Sequence, residues 1–326
     1  MTSLLRTIFS ALLLSLLFPL SGCTDKGVEI GKTTIQKDTV WQGIIKVTGD
    51  VFVPAGVTLT IAPGTTVKFV RIDEKSDRNM FGIDSPYYPQ AELIVQGRLI
   101  ARGTKDNIIV FTSAERDAKP ADWGAINLLG GDGNVIEYCK ILFAYNGIHA
   151  HGAGARIDHN EFTKNAVAIS VKKEEEAPGV PWFGRPADIS ANFNYIHNNK
   201  GGITFRSSRA VITRNTITDN KFFGIWPKEQ STAEITGNEI SENLKGIYFY
   251  KSAGVRIAGN NIYDNKEYNL AIADEQNVDV DARNNWFGTT SRDKINELIY
   301  DRHSDPSVAS ILVEPFLKER VKEAGQ

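Results

Sequence analysis

From residue 136 onward the chain repeats one short arrangement of apolar and polar positions. Ile157-Asp158-His159-Asn160-Glu161-Phe162-Thr163-Lys164-Asn165 aligns with Ile212-Thr213-Arg214-Asn215-Thr216-Ile217-Thr218-Asp219-Asn220. Ile235 to Asn243 and Ile257 to Asn265 follow the same order, Asn194-Tyr195-Ile196 adds a copy, and Ile136 to Ile141 is a degenerate first one. The leading asparagine position falls at 139 (a cysteine), 160, 194, 215, 238, 260 and 284, in steps of 21, 34, 21, 23, 22 and 24 residues. Each copy holds three short alternating runs, such as Gly246-Ile247-Tyr248-Phe249, Val255-Arg256-Ile257 and Asn261-Ile262-Tyr263. Runs this short cannot be helices, and three strands per fixed period predict a solenoid. A leucine-rich repeat shares the period but needs a leucine consensus and a helical segment, and both are missing.

Asparagine at a fixed beat fits the corner of such a coil. Its short amide tolerates a left-handed backbone and bonds locally, and identical amides one rung apart can bond in a ladder. The isoleucines three residues before and two after it are expected to point inward. Upstream, residues 51–69 and 92–104 alternate apolar and polar positions between Pro-Gly and Gly turns, as opening rungs would. The pattern resembles the right-handed parallel β-helix of the pectate-lyase-like superfold over residues 40–290, and is also similar to periplasmic copper-accessory β-helix proteins. The expected architecture is therefore all-β: a single-stranded right-handed parallel β-helix of roughly ten rungs over 39–290, with a C-terminal cap and tail over 291–326. A short helix is expected at Ile295 to Ile299, and residues 319–326 read as a frayed end.

Period 2 from the inward Ile148, Ile169, Ile203, Ile225, Ile247 and Leu270 assigns an outer face. His149 and His151, Ser170 and Lys172, Thr204 and Arg206, Trp226 and Lys228, Tyr248 and Tyr250, and Ala271 and Ala273 occupy it on successive rungs. Aromatic rings suit sugars, and cations suit carboxylate or sulfate groups. In polysaccharide lyases and hydrolases of the resembled superfold, the corresponding sheet forms the substrate groove. The insertion at 172–186, stiffened by Pro178, Pro181 and Pro186, offers Trp182 as a wall for such a groove or as packing against the coil. Phe222 and Phe223 lengthen one turn beside Trp226, so one of them is expected to be exposed there. Pro227 removes a ladder donor and is expected to weaken or end its strand.

The leading expectation for function is a non-catalytic carbohydrate-binding or scaffold protein, with Trp226, Tyr248, Tyr250, Arg206, Lys228, Lys172 and Trp182 as the ligand-binding residues. A lyase or hydrolase acting on an anionic glycan is the alternative, although no acidic residue occupies the outward positions. A metal-handling accessory role is the third, resting on His149-x-His151 with no third ligand evident and no Cys or Met ligand set. No residue set points to a cofactor.

Composition narrows these classes. Residues 1–22 read as a lipoprotein signal peptide: Arg6, an apolar run from Leu12 to Leu20, and Leu-Ser-Gly-Cys ending at Cys23, which resembles a lipobox. Cys23 is then the lipidated N-terminus of a tether over 23–38 and the membrane is a partner, with the outer membrane favoured because Thr24 is not Asp. The 304 residues after position 22 have a formal charge of −3, which gives no reason to expect nucleic-acid binding. Only Cys139 remains as a second thiol, so a disulfide within the mature chain is excluded.

Overall fold

The computed structural model describes residues 27–87 and 90–325; Cys23 and Tyr88 lie outside the described residues. The chain winds through three parallel sheets of ten, eleven and nine strands, here called A, B and C. Each coil contributes one strand to each sheet in turn, so neighbours within a sheet are three strands apart in sequence, except the last pair of sheet B. Thr216–Thr218, Phe223–Lys228 and Thr232–Thr236 form one such coil. Glu239–Ser241, Lys245–Phe249 and Gly254–Ala258 form the next. About ten rungs stack in this way, as a parallel β-helix.

The inward side chains form one continuous apolar column. Ile217, Ile225 and Ile235 of one coil sit in register with Ile240, Ile247 and Ile257 of the next, and these six are fully or almost fully buried. Each isoleucine therefore rests on another in the coil below, a packing that buries roughly 1.5–3 kcal/mol of transfer free energy per side chain.

The asparagines form two ladders. One runs from Cys139 through Asn160, Asn194, Asn215, Asn238 and Asn260 to Asn285, and the other through Asn165, Asn199, Asn220, Asn243 and Asn265 to Asn269. In each central rung the amide is saturated. Asn215 Oδ1 accepts from both the backbone N–H and Nδ2 of Asn194 at 2.9 Å, while Asn215 Nδ2 donates to Ala191 O and Asn238 Oδ1. An amide offers two donors and two lone pairs, so nothing is left over.

Two expectations about these corners are corrected. The left-handed backbone belongs to the residue before each ladder asparagine: His159, Phe193, Arg214, Gly237, Gly259 and Asn284, with φ between 54° and 68°. The ladder position of the last rung is consequently Asn285, and Asn284 is its bend. The bend must turn the following side chain into the corner, and only there can the amide reach the rungs above and below.

Arg292–Glu297 forms a single short helix, followed by the sheet-B strand Ile299–Tyr300, so the helix ends earlier than expected. Ile295, Ile299, Val308, Ile311 and Phe316 join the apolar column and cover its last rung. Beyond them the tail, as far as residue 325, is tied to the coil instead of fraying. Val321 N donates to Asn261 Oδ1, Arg320 pairs with Glu239, and Gly325 N donates to Gly237 O, laying the tail along the outside of sheet A.

Candidate functional site

Sheet B supplies the site. At the start of its strands a one-residue irregularity opposite Ala125 and Ile126 changes the alternation. Among the strands that follow, a Gly-Ile pair stands there at 202–203, 224–225 and 246–247, where backbones approach closely: a Cβ on Gly202 would stand 2.1 Å from Gly224 O, and one on Gly224 2.7 Å from Gly246 O. The kink turns Asn146, Val167 and Phe223 outward although strict period 2 assigns them to the core. Outward residues thus form three rows rather than two. Behind Asn146, Val167, Gly201 and Phe223 runs His149, Ser170, Thr204 and Trp226, and behind that His151, Lys172, Arg206 and Lys228, with Tyr250 bridged to Lys228.

A cleft of about 550 Å³ opens over these rows, with Lys172, Arg206, Lys228, Trp226 and Phe223 on its floor. Tyr145 stands at its edge, more than a third exposed. Ile83, Ser85, Pro86 and Tyr87 bring the 71–90 loop to one wall, a placement the sequence alone could not give. Four of the seven expected ligand residues meet here. Tyr248 packs beside the cleft with its ring 5.3 Å from that of Trp226. Trp182 does not line the cleft: it lies over Gly130 and packs with Tyr87, Ile94 and Leu129, so its insertion folds back on the coil flank.

The two histidines are the largest departure from the expected outer face. They point away from the coil yet are buried, His149 to 4% exposure and His151 completely, beneath the 71–90 loop and the insertion. Glu174 explains the cover. Its Oε2 accepts from the Tyr87 hydroxyl at 2.9 Å and from His151 Nδ1 at 3.0 Å, and its Oε1 accepts from the backbone N–H groups of Glu176 and Ala177 at 2.8 Å. One buried carboxylate therefore ties both loops to sheet B. Burial pushes His151 down to about 2, helped by the charges of Lys172 and Arg206, so its ring is neutral. Burial likewise holds His149 well below the usual histidine range. Among the described residues no group of three or more His, Cys, Asp or Glu could hold a metal ion.

Trp226 also differs from expectation. It is outward but only partly exposed, with the rings of Phe222 and Phe223 packed on it at 5.7 and 5.2 Å. Phe223 is buried and Phe222 half-buried, so neither stands free in solvent. Lys228 Nζ lies 3.8 Å from the centre of the indole ring. One face of the indole is thereby occupied by a cation, and Trp226 acts chiefly as a base for Lys228. The strand continues through Pro227, whose ring faces the coil interior, and this fixes Lys228 outward. Burial lowers the Lys228 ammonium to about 8, and neighbouring Arg206 adds to the effect.

Carboxylates stand beside the cations after all, supplied by loops. Glu176 receives Lys172 Nζ at 2.5 Å and Arg206 Nη2 at 2.8 Å, and Glu229 lies 4.0 Å from Arg206 Nε. Reading strand faces alone missed Glu176, because its position depends on how a fifteen-residue insertion folds. Cys139 occupies the first ladder position, where its backbone N–H donates to Asn160 Oδ1 and its thiol lies against Ala101 O and Glu137 O; burial pushes that thiol up.

The coiled part of the chain matches known sequence families. The family model for the right-handed β-helix region matches residues 124–287, and that for the pectate-lyase-like β-helix domain matches residues 32–136. The chain belongs to the right-handed β-helix family. Two crystal structures of mutants of the periplasmic alginate epimerase AlgG are similar to this β-helix at 10% and 11% identity, with TM-scores of 0.40 and 0.43. Each match covers 86% of this chain, and 77% and 74% of the respective AlgG chain. No curated protein matches the β-helix by sequence.

Proposed function

We propose that the sheet-B cleft binds an acidic glycan, without chemistry, on a chain held at a membrane surface through Cys23. The observation that supports this reading is the row Lys172, Arg206 and Lys228. These cations stand on three consecutive rungs of one rigid sheet and face one cleft. Rungs are about 4.8 Å apart, close to the advance of one sugar unit along an extended chain. A polymer with a carboxylate on each unit can therefore meet the row repeatedly. Guanidinium and ammonium groups fixed by strands lose little freedom on binding, which favours affinity.

Calorimetry on the 27–326 fragment tests the reading with hexamers of galacturonate, alginate and hyaluronate, each beside a methyl-esterified or neutral counterpart. Binding of at least one acidic oligomer, with tenfold or greater loss on esterification, is expected. Equal binding of charged and neutral forms, or none at all, refutes it. The anchor is tested apart from the cleft: Cys23→Ser is expected to abolish labelled palmitate uptake, and continued labelling contradicts lipidation there.

A second reading, cleavage of the acidic glycan by β-elimination, is favoured by one feature. Lys228, lowered to about 8 by burial, lies inside the cleft next to Arg206, which suits a base working beside a cation that neutralises a uronate carboxylate. Appearance of unsaturated ends absorbing in the ultraviolet, lost in Lys228→Met, would establish this reading in place of simple binding.

A further inference from the structure

The cationic row already holds one carboxylate, and it is the protein's own. Glu176 spans two rungs: Oε2 takes Lys172 Nζ and Oε1 takes Arg206 Nη2. A free uronate approaching the same two cations would place its oxygens in the same way. We infer that Lys172 and Arg206 form the carboxylate subsite of the cleft, and that an acidic sugar enters it by displacing Glu176. The inference rests on the acidic-glycan reading of the cleft and adds how that site is kept filled before the ligand arrives.

Two observations favour displacement over a fixed structural tie. First, the insertion is anchored without Glu176. Glu174 receives four hydrogen bonds, and Arg185 donates to Gly130 O and forks onto Asp132 at the far end of the loop. Glu176 can therefore swing out while the loop backbone stays docked. Second, the Arg206 pair is open to solvent, with about a third of the Glu176 and Arg206 side chains exposed, while the Lys172 side chain is 16% exposed. Partly exposed ion pairs contribute little and exchange partners readily.

A bound carboxylate remakes both ion pairs that Glu176 gives up, so the exchange is nearly balanced in direct contacts. What remains is repulsion between the displaced carboxylate and the incoming one, together with the lost contacts of the loop residue itself. Removing the charge at position 176 should thus strengthen binding, whereas removing an ordinary ligand contact would weaken it. Glu175 supplies a matched control, since its partner is Lys173 rather than Lys172 or Arg206.

The test compares wild type, Glu176→Gln and Glu175→Gln against the same acidic hexamers. Glu176→Gln is expected to bind about threefold to thirtyfold tighter than wild type, the range two partly exposed pairs can supply. Glu175→Gln should remain within twofold. Hydrogen exchange on the free proteins should show the backbone of 177–186 equally protected in wild type and Glu176→Gln. Binding of the acidic hexamers by wild type with equal or weaker binding by Glu176→Gln overturns the displacement and leaves the acidic-glycan reading intact. Binding by Glu176→Gln alone supports displacement outright, and no binding by any of the three proteins overturns both. A loop that loses protection in Glu176→Gln also overturns it, because Glu176 would then be a structural tie.

Discussion

An ammonium group buried in the cleft beside a guanidinium keeps its proton less firmly than a solvated lysine. Lys228 is lowered to about 8, chiefly by burial, so its charge disappears well below the range of an ordinary lysine side chain. Affinity for an acidic hexamer should therefore fall between pH 7 and pH 9.5 by part of its value, and Lys228→Arg should remove the fall; a flat profile in wild type would show that Lys228 takes no part. The linked effect on folding has the opposite direction. The unfolded chain binds the proton more tightly than the folded one between about 8 and 10.5, so this lysine makes folding more favourable as pH rises through that window. At the corners, single residues matter through saturation. Asn215→Ala would strand the backbone N–H and Nδ2 of Asn194 in a dry interior and remove the donor to Ala191 O and Asn238 Oδ1. A loss of about 2–4 kcal/mol is expected in urea unfolding, against a few tenths for Glu234→Ala on the exposed face of the same coil.

Strands and loops differ in how far the sequence disclosed them. The coil was legible because its signal is repetition: Ile217, Ile240 and Ile262 recur at equivalent positions, and each occupies the core position assigned to it. Lys172 and Arg206 were legible for the same reason, since period 2 from a known inward residue fixes their face, whereas the direction of Lys228 was left open by Pro227 before it. Phe223 and Asn146 were not, because the kink at Gly-Ile shifts the alternation by backbone crowding that no single strand displays. The covers over His149 and His151 were not legible either. Loop 71–90 and the insertion 172–186 carry no repeat, and their docking depends on Glu174 meeting Tyr87 and His151 from distant parts of the chain. That contact predicts how the loops respond to damage. Glu174→Ala leaves the Tyr87 hydroxyl, His151 Nδ1 and two loop N–H groups without their acceptor, and should cost about 2–4 kcal/mol of local stability. Hydrogen exchange should then accelerate across 173–186 and 74–87, while strands such as Ile203 to Phe205 keep their protection. Uniform acceleration through the coil would mean that the loops and the coil unfold as one unit.

Taken whole, the molecule is a stack in which each coil contacts its two neighbours, with stability arising rung by rung. The C-terminal segment is the exception, because Ile295, Ile299, Ile311 and Phe316 complete the apolar column instead of extending the repeat. A chain ending at residue 290 should lose protection first in its last two coils and melt at a lower temperature than the full chain. The ladders give that cap another significance. In them every rung presents a backbone N–H and one Nδ2 donor towards the C-terminal side and an Oδ1 acceptor towards the N-terminal side, so the coil has translational symmetry: its upper surface is complementary to its own lower surface. Objects of that kind polymerise head to tail without limit, since no rotation closes the series. The cap breaks the symmetry at one end, which suffices to terminate growth, and the 1–290 chain is accordingly expected to form concentration-dependent linear fibres in sedimentation and electron microscopy where the full chain forms none.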